Sequence, residues 1–208
     1  MKKTFSIIVC LFTLLILPGV SISDAPKTGP YMSGQMGISF LSDSDLTEPG
    51  FATETFEFDP GFAVGFAGGY NFGMFRLEGE LGYQINDIDQ LSMPGGRINT
   101  NGDMTALSFM ANGYFDFVNS SPFTPYITAG IGIARLDIND LAIGPVYVGD
   151  KDDTVFAYQV GVGVAFTINK NMAGDFKYRY FATDDPDFDG SEGEYASHNI
   201  YGGFRFNF

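Results

Sequence analysis

The sequence predicts an all-β fold, an eight-stranded antiparallel transmembrane β-barrel with the topology of an up-and-down meander. Three observations lead to this fold class. Eight segments alternate apolar and polar residues with a period of two, and each is long enough to cross a bilayer as a tilted strand of about 9–11 residues. The connections between these segments alternate between short and long. The chain ends on Phe208, in a strand with one aromatic face.

Each predicted strand has apolar side chains on one face and small, polar or charged side chains on the other. The third strand is the clearest, because Leu77 and Leu81 alternate with Arg76, Glu78 and Glu80. Three charges on one strand face cannot lie in a dry core, but they can lie in the polar lumen of a barrel. In chain order the strands are predicted over residues 31–40, 61–70, 75–86, 105–117, 126–136, 155–168, 174–181 and 195–208.

The other strands follow the same rule with different residue types. The first and fourth set methionine, leucine, isoleucine and phenylalanine against serine, glutamine and asparagine. The second, fifth and sixth have mostly glycine, alanine and threonine on the inner face. The seventh sets aromatic residues against charged ones, and the eighth alternates phenylalanine with polar residues and glycine up to its end. An eight-stranded lumen is just wide enough for side chains to fill, so bulky residues need small ones opposite.

The connections predict the orientation of the barrel. Transmembrane barrels have short periplasmic turns and longer extracellular loops. The short connections 71–73, 118–124 and 169–171 contain turn-forming residues, whereas the connections 41–60, 87–103, 137–153 and 182–194 are long. We therefore expect both termini in the periplasm and four long loops outside the cell.

The N-terminus predicts a secretory signal peptide. Lys2 and Lys3 precede an apolar run of about 13 residues, which is shorter than the roughly 20 that a membrane-spanning helix needs. Pro18 ends the run, and Ser21 and Ser23 are small residues at the spacing that a signal peptidase accepts. We expect cleavage after Ser23, which divides the chain into a removed signal peptide, residues 1–23, and an outer-membrane β-barrel domain, residues 24–208.

Charge and cysteine content exclude several function classes. The formal net charge is −14, and removing Lys2 and Lys3 leaves nine basic against 25 acidic residues, a net charge of −16. This balance argues against nucleic-acid binding and against a basic membrane-surface patch. The single cysteine, Cys10, lies inside the predicted signal peptide, so no disulfide or thiol chemistry is expected in the mature chain. No cofactor is predicted.

A cluster of opposite charges is predicted inside the lumen. The strand periodicity directs four cations and four carboxylates inward, and we expect them to pair with one another. Such a filled lumen argues against a wide pore, although periodicity leaves open that some of these groups face water at the rim. The predicted network consists of Arg76, Lys177, Arg179 and Arg205 with Glu78, Glu80, Asp116 and Asp175.

Two other features, a single histidine and an acidic loop, resemble chemical sites. His198, the only histidine, is predicted to face lipid near the upper rim, but Ile200 stands two residues later, where a lipid A deacylase has its serine. A nucleophile must lie within hydrogen-bond reach of its base, so no catalytic residue is predicted. Asp185, Asp187 and Asp189 begin like a calcium loop, yet Ala196 replaces the expected bidentate glutamate. We therefore assign no metal ligand.

The C-terminal residues carry a resemblance to a known family. Tyr201, Gly203, Phe206 and Phe208 match the C-terminal recognition signal of bacterial outer-membrane β-barrels. The resemblance implies that the barrel assembly machinery of the outer membrane reads this signal. It extends over the mature chain, which resembles opacity-type surface antigens, OmpA-like transmembrane barrels and other porin family proteins. The segments that carry it are 29–34, 40–43, 69–70, 76–83, 125–126, 156–161, 178–181 and 201–208.

The resemblance implies a location and partners, but no single function, because one fold hosts unrelated activities. It places the protein in the outer membrane of a Gram-negative cell, in contact with lipid and lipopolysaccharide. We expect a non-enzymatic protein with surface-exposed acidic loops and a structural, surface-antigen or adhesin-like role. The alternative is a narrow porin-like channel, and a lipid-modifying enzyme is the weakest hypothesis. Divalent cations at the acidic loops are a further expected partner, whereas no extracellular ligand is predicted.

Overall fold

The structure is a computed structural model and describes residues 28–42, 44–46, 54–93, 96–143, 146–188, 191–192 and 195–208. The predicted signal peptide, its cleavage site at Ser23, and residues Asp189 and Gly190 of the acidic loop lie outside the described residues. The described part of the chain contains no helix long and apolar enough to cross a membrane.

The described residues form twelve β-strands. Eight are long and correspond in order to the eight predicted strands, whereas β2, β3, β10 and β11 are short. Their bounds are β1 Gly29–Leu41, β2 Ser44–Leu46, β3 Glu54–Phe58, β4 Gly61–Asn71, β5 Phe75–Met93, β6 Gly96–Asp116, β7 Phe123–Ile143, β8 Val146–Thr167, β9 Met172–Thr183, β10 Asp187–Phe188, β11 Ser191–Glu192 and β12 Ala196–Asn207.

The eight long strands close into an antiparallel barrel. Each pairs with the next long strand along the chain, and β12 returns to pair with β1. At this seam the register runs from Tyr31 opposite Asn207 to Leu41 opposite Ser197. Closure provides every strand with two hydrogen-bonding neighbours, which a bilayer requires because lipid offers no partner to an open sheet edge. The predicted all-β meander of eight strands is confirmed.

The barrel is apolar outside and polar inside, the reverse of a water-soluble domain. Along β5, the side chains of Leu77 and Leu81 are 60% and 52% exposed, whereas Arg76 and Glu80 are only 2% and 1% exposed. Among the side chains that the structure describes, the same alternation runs along the lipid-facing parts of the other seven long strands. An apolar outer wall of this kind matches the hydrocarbon of a membrane.

Glycines inside the lumen make room for inward tyrosines. A Cβ atom added at Gly69 would meet the ring of Tyr31, and one added at Gly163 would meet the ring of Tyr126. These glycines lie on β4 and β8, two of the strands predicted to supply small inner residues. Each tyrosine thus depends on the absence of a side chain at its direct partner on the adjacent strand, since Tyr31 is paired with Gly69 and Tyr126 with Gly163.

Three short connections define one end of the barrel, which we call the short-turn end. An asparagine side chain folds each of the three turns, and in the second the Asn119 side chain accepts from the N–H of Ser121 at 2.7 Å. The Asn71 side chain accepts a hydrogen bond of 2.8 Å from the N–H of Gly73, a glycine with a φ of 103°. The Asn169 side chain accepts from the N–H groups of Asn171 and Met172 at 2.9 and 3.0 Å.

The opposite, long-hairpin end differs from the prediction. Residues 87–103 and 137–153 were expected as loops, yet β5 pairs with β6 up to Met93 opposite Gly96, and β7 pairs with β8 up to Ile143 opposite Val146. β3 also pairs with the extension of β5. Register shifts interrupt these ladders after Asp87 and after Ile138. A β-bulge adds one residue and reverses the alternation, which hides the continuing strand from a period-two pattern.

Candidate functional site

The structure brings all eight charged residues of the predicted network together inside the lumen. They project from β5, β6, β9 and β12, whose inner faces meet across the narrow barrel. All of them are buried except Asp175, which is half-buried. Four cations face four carboxylates, so the formal charge of the group is zero. The members are Arg76, Glu78, Glu80, Asp116, Asp175, Lys177, Arg179 and Arg205.

Two salt bridges form the core of this network, and both are bidentate. The Arg76 guanidinium donates to Asp116 through Nε and Nη2 at 2.7 and 2.9 Å. The Arg179 guanidinium contacts Glu80 through Nη1 and Nη2, each at 2.8 Å. Paired hydrogen bonds between a guanidinium and a carboxylate are among the strongest in proteins. The first bridge joins β5 to the adjacent β6, and the second crosses the lumen from β9 to β5.

Neutral amides extend the second salt bridge into a belt around the lumen. Glu80 also accepts from Gln35 on β1 at 3.0 Å and from Asn112 on β6 at 2.8 Å. Asn112 in turn accepts from Gln159 on β8 at 2.5 Å. One buried carboxylate therefore connects five strands, so its loss would leave several donors without an acceptor.

Tyrosine hydroxyls hold the other two inner carboxylates of the network. Glu78 accepts from Tyr31 at 2.9 Å and from Tyr114 at 2.5 Å, and Asp175 accepts from Tyr126. The role of these tyrosines was not predicted from the sequence. Each tyrosine does occupy an inward position of its alternating strand, and this position is the sequence feature that could have indicated its role.

Lys177 and Arg205 depart from the predicted pairing. Within the described part of the chain neither forms a salt bridge, and Lys177 has one hydrogen-bond acceptor, the Tyr114 hydroxyl at 3.4 Å. The Arg205 guanidinium lies 5.7 Å from the centre of the Tyr31 ring, and its Nε and Nη1 atoms have no hydrogen-bond partner. The carboxylates expected to pair with these cations accept instead from neutral donors.

Apolar side chains fill much of the lumen toward the long-hairpin end, and we call this group the apolar plug. Phe181 and Tyr195 form its centre, with ring centroids 6.0 Å apart and an edge-to-face angle of 86°. The plug was not predicted, although its residues lie at inward positions of the alternating pattern. It comprises Leu41, Met104, Ala106, Met110, Ala134, Leu136, Ala157, Phe181 and Tyr195.

His198 lies on the outer wall, as its parity predicts. Its Nδ1 atom lies 2.7 Å from the hydroxyl of Tyr178, and its ring centroid is 5.2 Å from that of Tyr180. Ser197 is buried and donates into the lumen, to Gln84 at 3.0 Å. The histidine therefore has aromatic neighbours on the wall, and the adjacent serine points to the opposite side of the sheet.

The described residues hold no group of three or more histidine, cysteine, aspartate or glutamate side chains arranged to bind a metal ion. Part of the acidic loop, including Asp189, lies outside them. Cation binding at the acidic loops therefore stays a prediction.

The residues of the predicted C-terminal signal lie at the seam that closes the barrel. Tyr201 points inward, with the Arg179 guanidinium 4.7 Å from its ring centre. A Cβ atom at Gly203 would lie 2.6 Å from the carbonyl oxygen of Gly34 on the neighbouring strand. Phe206 and Phe208 face outward, with ring centroids 5.5 Å apart. The Phe208 N–H donates to the Pro30 carbonyl at 3.1 Å, which joins the last residue of the chain to the start of β1.

A closed eight-stranded barrel with an apolar wall and a charged, filled lumen defines a transmembrane β-barrel. The chain belongs to the outer membrane protein β-barrel family, whose domain model matches residues 8–208. It is accordingly a protein of the Gram-negative outer membrane.

Individual relatives and structures agree with this family. Outer membrane protein PagN of Salmonella typhimurium is 29% identical over 204 residues, covering 86% of this chain and 83% of PagN. A candidate adhesin of Rickettsia conorii, RC1281, is 29% identical over 122 residues, covering 50% of this chain and 48% of that protein.

Solved structures show the same fold. Neisserial surface protein A superimposes with a TM-score of 0.60 at 20% identity, covering 86% of this chain and 97% of that one. The protease OmpT of Escherichia coli has a TM-score of 0.55 at 9% identity, covering 90% and 99% of the two chains. At these identities the likeness shows the fold alone.

The salt bridge between Arg179 and Glu80 yields a stability prediction. Arg179→Met should lower the free energy of unfolding by about 3–5 kcal/mol, because it leaves the Glu80 carboxylate buried without its cation. Adding Glu80→Gln should recover part of this loss. The control is Arg135→Met, since Arg135 is an exposed residue paired with Asp137 and Asp152 and should contribute little. Urea unfolding in lipid vesicles gives the free energy of unfolding of the unmodified protein, the two single variants and the double variant. Equal losses for Arg179→Met and Arg135→Met would contradict the prediction.

The seam yields a prediction on assembly. Phe208→Ser should reduce the amount of folded protein in the outer membrane while leaving secretion across the inner membrane intact, because it removes the terminal aromatic residue of the predicted signal. The matched control is Phe204→Ser, which changes an outward phenylalanine of the same strand outside that signal. Immunoblots of fractionated cells report both steps. Equal outer-membrane levels of the two variants would refute the role assigned to Phe208.

Proposed function

We propose that the protein is a non-enzymatic surface protein of the outer membrane that acts through its long-hairpin end, in an adhesin-like or surface-antigen role. This proposal rests on the length of the paired strands, which extend beyond the apolar belt of the barrel. The β5–β6 and β7–β8 ladders continue to the tips at Met93 and Gly96 and at Ile143 and Val146, beyond the apolar belt. Paired strands outside the membrane form a firm platform for contacts with another molecule.

The level at which the outer wall turns polar supports this reading. On β7 the outward positions change from Ile131 and Ile133 to Arg135 and Asp137, and Asp152 on β8 lies beside them. Charges at this level belong in water or among lipid headgroups, because the hydrocarbon disfavours them. The residues beyond are therefore assigned to the aqueous side.

The orientation follows from the same asymmetry. Outer-membrane barrels have short turns in the periplasm and longer connections outside the cell. By that rule we assign the short-turn end and both chain termini to the periplasm, and the extended hairpins to the cell exterior. The assembly machinery of the outer membrane would then read the C-terminal strand from the periplasm, and lipopolysaccharide would surround the upper wall.

Two other functions have weaker support. The apolar plug and the two bidentate salt bridges fill the lumen, which weighs against a narrow porin-like channel. His198 lacks a serine on its own face of β12, since Ile200 occupies the position two residues later. This weighs against a lipid-modifying enzyme. The relative described as a candidate adhesin favours the surface role, although it aligns with only 50% of this chain.

Trimming a hairpin tests the surface role. A variant that replaces residues 139–150 by an Asn-Gly turn should keep the barrel but lose adhesion, because it removes the tip of the β7–β8 ladder. Bacteria that display the protein are scored for attachment to cultured epithelial cells. The control inserts two glycines into the turn at residues 119–121 of the short-turn end. The proposal fails if trimming this hairpin and the β5–β6 hairpin together leaves attachment unchanged, or if the intact protein confers none.

Conductance tests the channel alternative. In planar bilayers the intact protein should show little or no conductance, because the apolar plug and the polar side chains packed beside it fill the lumen. Phe181→Ala should raise conductance by opening the plug. Phe176→Ala is the matched control, since Phe176 lies on the same strand and faces outward. A large and stable conductance of the intact protein would replace the surface role with the channel.

A further inference from the structure

A small cavity lies in the half of the lumen nearer the short-turn end. Its volume is about 20 Å³, enough for one particle close to the size of a water molecule. Charged and phenolic groups dominate its lining, among them the four network members that form no salt bridge with any described residue. These lining groups are Glu78, Asp175, Lys177, Arg205, Tyr114 and Tyr126.

The two cations of this cavity have unused hydrogen-bond donors. Arg205 is only 4% exposed, and its Nε and Nη1 atoms have no acceptor. Lys177 is 3% exposed, and its one acceptor among the described residues is a neutral hydroxyl at the long distance of 3.4 Å. A buried cation without an acceptor is strongly unfavourable, so another group is needed to complete both contacts.

The neighbouring carboxylates do not meet this need. Glu78 already accepts three hydrogen bonds from neutral side chains, with both of its oxygens engaged. Asp175 accepts from Tyr126. Among the described residues no side chain therefore accepts from Arg205 Nε or Nη1, and an anion in the cavity would supply that acceptor.

We propose that this cavity binds a small monovalent anion, chloride in the cell, which accepts hydrogen bonds from Arg205 and Lys177 together. Chloride accepts from every direction, whereas water must also donate two protons into a donor-rich site. Chloride is a single atom and suits a cavity of about 20 Å³. Lys177 lies on β9 and Arg205 on β12, the strand that closes the barrel. The anion thus stabilises the closing strand, an effect that does not depend on the proposed surface role.

Refolding in different salts tests the site. Protein purified from outer membranes is unfolded in urea and refolded into micelles in sodium chloride, bromide or gluconate at equal ionic strength. Chloride and bromide should raise the urea midpoint of unfolding above its value in gluconate, by a shift that saturates with halide concentration. Arg205→Gln and Lys177→Gln should each abolish the shift. Arg135→Gln is the control and should retain it, because Arg135 is exposed and lies outside the cavity.

A second measurement needs no variant. Crystals of the intact protein grown in bromide should show one anomalous peak in the lumen between the Arg205 guanidinium and the Lys177 ammonium group. The proposal is overturned if the cavity holds water without an anomalous signal, or if the midpoint is the same in all three salts. Should a variant fail to refold, the bromide data on the intact protein still decide the question.

Discussion

Backbone N–H and C=O groups inside a bilayer must find their partners within the protein, because hydrocarbon offers none. In this chain the requirement is met at the seam, where eleven residues of β1 pair with β12 from Tyr31–Asn207 to Leu41–Ser197. Once the sheet is closed, it has one face toward lipid and one toward a narrow lumen. The apolar side chains must then face the lipid. All charged side chains of the membrane-spanning part must face the lumen.

That confinement determines the chemistry of the lumen. An isolated buried charge is strongly unfavourable, yet eight charged groups are accommodated here because their signs balance and most carry hydrogen bonds. Two cation–carboxylate pairs form direct salt bridges, Arg76 with Asp116 and Arg179 with Glu80. The tyrosines provide a second solution, since a phenol fills volume with its ring and donates to a carboxylate with its hydroxyl. For Tyr31 and Tyr126, a glycine at the paired position of the adjacent strand leaves the space that the ring occupies.

Period-two alternation predicted the closed barrel and the inward direction of every charged residue in the network, because a strand side chain has only two directions. The alternation does not determine which cation pairs with which carboxylate. Lys177 was expected beside a carboxylate, but the choice between Glu78 and a phenol depends on rotamers and on diagonal reach across strands. Alternation also failed where the ladders are irregular, after Asp87 and between Ile138 and Ala142, since an inserted residue interrupts the period of two at that point. The apolar plug went unrecognised because large apolar residues at inward positions conflict with the rule of a polar lumen.

The same constraints locate the part of the molecule that is free to acquire a function. The outer wall is matched to lipid, and the lumen is filled by charge pairs, tyrosines and the apolar plug, so substitutions in either place act on stability first. The hairpin extensions, which we propose lie outside the membrane, are under neither constraint, since water can satisfy their edges and either face. They are also where the alternating pattern breaks down. The outer wall and the lumen restrict which residues are tolerated, whereas the hairpin extensions do not. Relatives with the same barrel can therefore serve different roles.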